Sequence, residues 1–203
     1  MLWDVHCFRN RVAFTPDGSL LAATSHDFSV QLWRMDDGSA WKTLTGHTQP
    51  VLDLDISPDG EMLASVSLDG TVRLWRVADG SYLRTIDSES LGLQAVAFSP
   101  DGQRIAAGSF NGDIYLWEIK TGDLLWHLEG QMNTPATIAF SIDGSLLAAG
   151  HGNTLQLWTV GTGQLVDTLP GEHGDIENVT FSKDGRLLAI GSEDGIVELW
   201  EVP

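Results

Sequence analysis

The stretch that decides the fold begins Val51-Leu52-Asp53-Leu54-Asp55-Ile56, Ser57-Pro58-Asp59-Gly60, Met62-Leu63-Ala64-Ser65-Val66-Ser67 and Asp69-Gly70. It continues as Thr71-Val72-Arg73-Leu74-Trp75, Ala78-Asp79-Gly80 and Tyr82-Leu83-Arg84-Thr85-Ile86. Short apolar runs alternate with Asp-Gly. That dipeptide is the strongest short-range hairpin signal, because glycine accepts a positive φ and aspartate tolerates it while bonding nearby backbone. The stretch therefore reads as four antiparallel strands joined by hairpins. No segment of the chain holds an apolar 3.6-residue period over a dozen residues, so helices are expected to be nearly absent.

The pattern recurs along the chain. The turns Thr15-Pro16-Asp17-Gly18, Ser57-Pro58-Asp59-Gly60, Ser99-Pro100-Asp101-Gly102, Ser141-Ile142-Asp143-Gly144 and Ser182-Lys183-Asp184-Gly185 place their Asp at intervals of 42, 42, 42 and 41 residues. Trp33, Trp75, Trp117, Trp158 and Trp200 follow at 42, 42, 41 and 42. Two independent markers with one period define five repeats, approximately 9–50, 51–92, 93–134, 135–175 and 176–203, with 1–8 as a partial outer strand. A single meander of such apolar strands cannot cover both of its faces, so neighbouring copies must. A period of ~40–45 residues with four strands and a Trp near the end of the third points to sheets stacked radially about an axis. The expectation is one all-β domain over 1–203, a β-propeller of five four-stranded antiparallel blades.

On these residues, over about 9 to 203, the chain resembles the WD-repeat β-propeller family. The regular Ser-Pro-Asp-Gly turns and the low divergence between repeats are similar to bacterial WD-repeat proteins, whose blades often follow a signalling or nucleotide-hydrolysing domain. The Trp-Asp pair itself has drifted to Trp33-Arg34, Trp75-Arg76, Trp117-Glu118, Trp158-Thr159 and Trp200-Glu201. Only Trp3-Asp4 spells it, 30 residues before Trp33 and out of register.

The resemblance implies a hydrogen-bonded tetrad in each blade: a His before the first strand, a second-strand Ser or Thr, a turn Asp and the third-strand Trp. His47, Ser67, Asp69 and Trp75 fit the second repeat, with Ser65 on the same strand face as an alternative to Ser67. The first repeat keeps Ser25, Asp27 and Trp33 with Val5 in the His position. The fifth keeps Ser192, Asp194 and Trp200, with Glu172 there and His173 one place late. The third has Glu89 and Asn111; the fourth has Gln131 and no Asp, and these two blades are expected to be less rigid. A His, a Ser and an Asp invite a catalytic reading, but a triad needs an exposed nucleophile, a cleft and an oxyanion site. A set that recurs in degraded copies is expected to be structural, with no catalytic residues. Ser25-His26-Asp27 lies along one strand end where side chains alternate faces, so it is no relay.

Family propellers mostly bind protein segments on the face carrying the loops before the first strands and the turns between second and third strands. The resemblance puts three positions of each blade there. They are Phe8, Asn10 and His26; Pro50, Leu52 and Leu68; Gly92, Gln94 and Phe110; Thr134, Ala136 and His151; and Asp175, Glu177 and Glu193. Phe8, Leu52, Leu68 and Phe110 would form an apolar patch and the last three an acidic one, as a recognition surface for a peptide or loop with a hydrophobic anchor and a basic flank. The alternative for Phe8 and Phe110 is an inward-packed loop anchor.

Composition narrows the rest. The chain has 203 residues, 42% hydrophobic and 19% charged, with 28 acidic against 11 basic side chains and a formal charge of −17. That charge repels phosphate backbones and anionic lipid surfaces, so neither nucleic acid nor membrane is an expected partner. Cys7 is the sole cysteine, which excludes an internal disulfide and fits a reducing compartment. The start Met1-Leu2-Trp3-Asp4-Val5-His6 lacks a secretory pattern, and no run approaches the ~20 apolar residues of a membrane span, so a cytoplasmic location is expected. The six His show no paired ligand spacing, Asp53 with Asp55 reads as a solvated or paired strand couple, and Gly161-Thr162-Gly163 lacks a following helix. No metal and no cofactor are expected.

The reading that results is a non-enzymatic protein-interaction scaffold. Two alternatives stand: a glycan-binding propeller lectin, for which Trp41 and Trp126 are the sole fourth-strand indoles, and a regulatory sensor domain of a larger signalling or nucleotide-hydrolysing protein. The fifth repeat stops at Trp200-Glu201-Val202-Pro203 without a fourth strand, and Met1-Leu2-Trp3 offers only the tail of one. A part of a larger propeller is therefore expected over a closed five-bladed ring, with self-association through its uncovered ends.

Overall fold

The computed structural model describes residues 11–129, 136–171 and 174–202. Among them there is no helix, and the strands fall into five antiparallel sheets in chain order. The first sheet holds β1 (Val12–Phe14), β2 (Leu20–Thr24), β3 (Val30–Arg34) and β4 (Ala40–Leu44). The second holds β5 (Val51–Ile56), β6 (Met62–Ser67), β7 (Thr71–Arg76) and β8 (Tyr82–Asp87). The third holds β9 (Leu93–Phe98), β10 (Arg104–Ser109), β11 (Ile114–Glu118) and β12 (Leu124–Leu128). The fourth holds β13 (Ala136–Phe140), β14 (Leu146–His151), β15 (Thr154–Thr159) and β16 (Gln164–Pro170). The fifth has three strands, β17 (Ile176–Phe181), β18 (Leu187–Ser192) and β19 (Val197–Glu201). Each sheet follows chain order, as hairpin-linked strands do.

The recurring Ser/Thr-x-Asp-Gly turn is a small hydrogen-bonded device. In all five copies the hydroxyl of Thr15, Ser57, Ser99, Ser141 or Ser182 donates to the Asp two residues on, at 2.5–2.7 Å. The same oxygen accepts the amide five residues on, at 2.9–3.0 Å, which seeds the next strand. The glycine that follows, Gly18 for example, sits at φ 71°, which only a residue without Cβ adopts at no cost. These hydrogen bonds hold the Asp17 and Asp143 carboxyls down at about 2.

The chain divides into two compact units, Met1–Val96 and Ala97–Pro203, with the division inside β9. In the first unit, Val30, Leu32 and Leu44 of the first sheet share a core with Val51, Leu54, Leu63, Trp75 and Val77 of the second. In the second unit, Ala148, Leu155 and Leu157 pack with Ile176, Val179, Leu188 and Ile190. Within each unit one sheet thus covers an apolar face of the next, and β6 and β10 are buried along almost their whole length. The turns also meet: a methyl placed on Gly60 would sit 3.2 Å from Pro16 Cδ, and one on Gly144 would sit 3.5 Å from Pro100 Cδ.

Every third strand except β19 carries an irregularity that the sequence did not announce. The register with the fourth strand shifts between Leu32 and Trp33, Leu74 and Trp75, Leu116 and Trp117, and Leu157 and Trp158. Trp33, Trp75, Trp117 and Trp158 therefore stand at β-bulges, where the strand bends and the large ring is re-aimed.

Candidate functional site

The polar set of the second sheet assembles around His47, which enters from the loop before β5. Its Nε2 lies 2.9 Å from Ser65 Oγ and its Nδ1 2.9 Å from Asp69 Oδ2, while Trp75 Nε1 donates to Ser65 Oγ at 3.0 Å. The indole can only donate, so Ser65 accepts from it and gives its own proton to Nε2, which leaves the Nδ1 proton for Asp69. The serine is Ser65, not Ser67. Leu63 pairs with Trp75 across the β6–β7 ladder, and Ser65 is the next residue on that face; Ser67 lies at the strand end, where it donates to the Gln49 carbonyl at 3.0 Å and accepts the Asp69 amide at 3.1 Å.

Burial alone would push the Asp69 carboxyl up. Bonds from the Thr71 hydroxyl (2.7 Å), the Thr48 amide (3.0 Å) and the His47 ring outweigh it and hold the group at about 2. Burial pushes His47 below its ordinary value despite the partner carboxylate. The connectivity Ser–His–Asp is that of a catalytic triad, but Ser65 is 0% exposed and its oxygen is already engaged by Trp75. No substrate carbonyl reaches it, so the set holds the sheet and the loop together.

Register shows why the set stands alone among the described residues. The place of Ser65, opposite Arg73, is taken by Ala23, Ala107, Ala149 and Ile190 in the other sheets. Ser25 and Ser192, kept in the decayed sets of the first and fifth repeats, correspond to Ser67 rather than Ser65; Ser192 donates to Asp194 within its own turn. The indole nitrogens of Trp158 and Trp200 are buried with no hydrogen-bond partner. Val5, Gln131, Glu172 and His173 lie outside the described residues.

Of the recognition positions, Phe8, Asn10 and Thr134 also lie outside the described residues, as does the Ala136 side chain. In the first unit, His26 is exposed and Pro50, Leu52 and Leu68 are partly so. The Leu68 amide donates to the Pro50 carbonyl at 3.1 Å, and a methyl on Gly92 would sit 3.1 Å from Leu68 Cδ2, so these three meet at one end of the sheets. Beside them Leu91, which the sequence does not single out, is 95% exposed. Leu52 is the extra residue of a bulge between Val51 and Asp53, a device that turns a side chain out of the ladder. Gln94 is 7% exposed, with both amide atoms unpartnered, so it is a buried group rather than a surface contact.

In the second unit Phe110 is 42% exposed, so it is not packed inward. His151 is half-buried with both ring nitrogens lacking a partner, and burial pushes it down against the pull of Asp113. Asp175, Glu177 and Glu193 are exposed. The Glu193 amide donates to the Asp175 carbonyl at 2.9 Å, and Glu177 occupies a bulge like that of Leu52, between Ile176 and Asn178.

Asp53, read from the sequence as half of a solvated or paired couple with Asp55, is paired. Its Oδ2 accepts the Val96 amide at 3.0 Å and its Oδ1 lies 3.6 Å from Arg11 Nε, so one carboxylate links β9, β5 and the residue before β1. Burial pushes it up to about 6, against the Arg11 charge and the Val96 amide. The signal in the sequence is an acid between the apolar residues Leu52 and Leu54 of a strand.

With this geometry in place, the comparisons decide the family. The WD domain, G-beta repeat model matches residues 3–34, 38–76, 80–118, 122–159 and 163–201. The chain belongs to the WD-repeat family. Each later match joins the fourth strand of one sheet to the first three of the next, so the family's sequence unit is offset by one strand from the folded sheet. The WD-repeat chain is 46% identical over 46 residues to nuclear distribution protein PAC1 of Ajellomyces capsulatus (strain H143), which is 23% of this chain and 10% of that protein. It is 44% identical over 45 residues to WD repeat and HMG-box DNA-binding protein 1 of Xenopus laevis, 22% of this chain and 4% of that protein. The matched part spans about a tenth or less of these curated relatives. WD-repeat domains are generally non-enzymatic platforms for protein–protein interaction. Among the described residues no helix is long and apolar enough to cross a membrane.

Proposed function

We propose that this WD-repeat chain is a scaffold that binds a peptide or loop of a cytoplasmic protein through the sheet ends carrying Pro50, Leu52, Leu68 and Gly92. The observation that carries the reading is that Pro50, Leu52 and Leu68 are partly exposed there, Gly92 meets Leu68, and Leu91, next to Gly92 in the chain, is 95% exposed. Isolated exposed leucines are ordinary, but apolar side chains gathered on loops of a rigid sheet suit an anchor pocket. In the second unit, Asp175, Glu177 and Glu193 favour partners with basic residues, as does the chain's charge of −17. The lone cysteine supports the cytoplasmic setting. The glycan alternative has Trp41 and Trp126 as its sole fourth-strand indoles, and the Trp126 Nε1 donates to the Val160 carbonyl at 3.0 Å.

Fluorescence anisotropy with labelled peptides carrying a central leucine and flanking lysines tests the reading. The Leu68→Ala/Leu91→Ala protein is expected to bind about tenfold more weakly, the loss of roughly 1.4 kcal/mol of apolar contact. Hydrogen exchange of the Leu68 and Gly92 amides reads this end alone, and peptide protection there that the double variant leaves undiminished rejects it.

A further inference from the structure

At the other end of the first two sheets, where the β1–β2 and β3–β4 turns lie, the first unit has a groove of about 1230 Å³. Its floor is Leu20, Trp41, Met62 and Val77, of which Leu20 and Trp41 pack on the core shared by the two sheets and Val77 belongs to it. Its walls carry Asp17, Asp36, Asp59 and Glu61 against Arg34 and Arg76, and Arg76 already lies 3.6 Å from the Asp79 carboxylate. Thr15 and Ser19 bond Asp17 through its Oδ1, and Ser57 and the Glu61 amide bond Asp59 through its Oδ1, so each carboxylate keeps its second oxygen for a cation.

The fourth strands differ between repeats at the position that meets the next sheet's turn beside this groove. Lys42 pairs with Leu32 as Trp126 pairs with Leu116, so the two hold the same place on their fourth strands. Each lies over the turn of the next sheet: a methyl on Gly80 would meet Lys42 Cγ at 2.7 Å, and one on Gly163 would meet Trp126 Cγ at 3.1 Å. Trp126 caps the Val160 carbonyl with its indole N–H, whereas Lys42 presents a flexible chain with no such plug. Val77 corresponds to Val160, each two residues beyond the marker Trp.

We infer that this groove is a second docking site, independent of the surface at Leu68, for a segment of a partner protein that inserts an apolar side chain and flanks it with lysine or arginine. The apolar floor takes the anchor and the excess of carboxylates takes the flanks. A second copy of this acidic chain, at −17, does not meet that charge requirement.

The test uses hydrogen exchange of the whole chain with three synthetic peptides of one length: a leucine flanked by lysines, by glutamines and by glutamates. The lysine peptide is expected to slow exchange of the amides at 18–20 and 76–78, to lose most of that protection in high salt, and to bind about tenfold more tightly than the glutamate peptide. Lys42→Trp, beside the Gly80 turn that follows Val77 and Ala78 of the lining, is expected to narrow the groove's edge and reduce that protection. Glu61→Lys, at the exposed wall, is expected to weaken binding without disturbing the core, and it serves if Lys42→Trp fails to fold. Protection unchanged in both variants, equal binding of lysine and glutamate peptides, or protection by none of the peptides overturns the inference. The Leu68→Ala/Leu91→Ala protein is expected to keep the groove's protection intact, so failure at one surface is readable apart from failure at the other.

Discussion

The Asp53 carboxylate accepts the Val96 amide at 3.0 Å, across two sheets and 43 residues of chain, while Arg11 stands 3.6 Å from its other oxygen. Desolvation at this position outweighs both partners and lifts the carboxyl to about 6. An acid whose folded value exceeds its unfolded value of about 4 binds a proton more readily when folded, so its contribution falls as pH rises from about 4 to about 6. Asp53→Asn keeps an oxygen to accept the Val96 amide and removes the charge. Urea denaturation is expected to show Asp53→Asn more stable than the parent at pH 7 by about 1–2 kcal/mol and equal to it near pH 4. A loss of stability at pH 7 would mean that the Arg11 pair outweighs burial.

The Ser65 relay has the opposite acid response. Asp69, held at about 2, and His47, held low by burial, both favour their unprotonated forms in the fold. The Asp69 contribution is present above its unfolded value of about 4 and lost as pH falls toward about 2; that of His47 begins to fall once pH drops below about 6.5. Replacing Ser65 by Ala leaves Trp75 Nε1 and His47 Nε2 buried without partners. Ser65→Ala is expected to cost about 2–4 kcal/mol by denaturant titration, against about 1 kcal/mol for Ser67→Ala.

The orphaned indole of Trp158 offers the converse experiment. Ala149 holds the place in β14 that Ser65 holds in β6, and Trp158 Nε1 is buried without a partner. Ala149→Ser is expected to give the indole an acceptor and raise stability by about 0.5–1.5 kcal/mol, seen as a higher thermal midpoint. A lower midpoint would show that the added hydroxyl is overpacked.

Periodicity made the sheets legible: Asp-Gly turns and the tryptophans mark hairpins and third strands because both depend on local chemistry. The serine of the relay was harder, since Ser65 and Ser67 share a face and only the ladder register with Trp75 separates them. The same ambiguity covers Ser25 and Ser192 of the incomplete sets in the first and fifth repeats, where the position of Ser65 holds Ala23 and Ile190. Family likeness puts Leu52 and Glu177 on the recognition face; that each stands at a bulge leaves no mark in a list of residue types. Gln94 and Asp53 depend on what neighbouring sheets lay against them, information that no single repeat contains.

The claim that the sheet ends at Pro50, Leu68 and Gly92 receive a partner is tested most directly by hydrogen exchange at those amides with saturating leucine–lysine peptide. The account predicts that the Leu68 and Gly92 amides slow markedly and that Leu68→Ala/Leu91→Ala abolishes the effect. Exchange at both amides unchanged while the peptide is bound would contradict it.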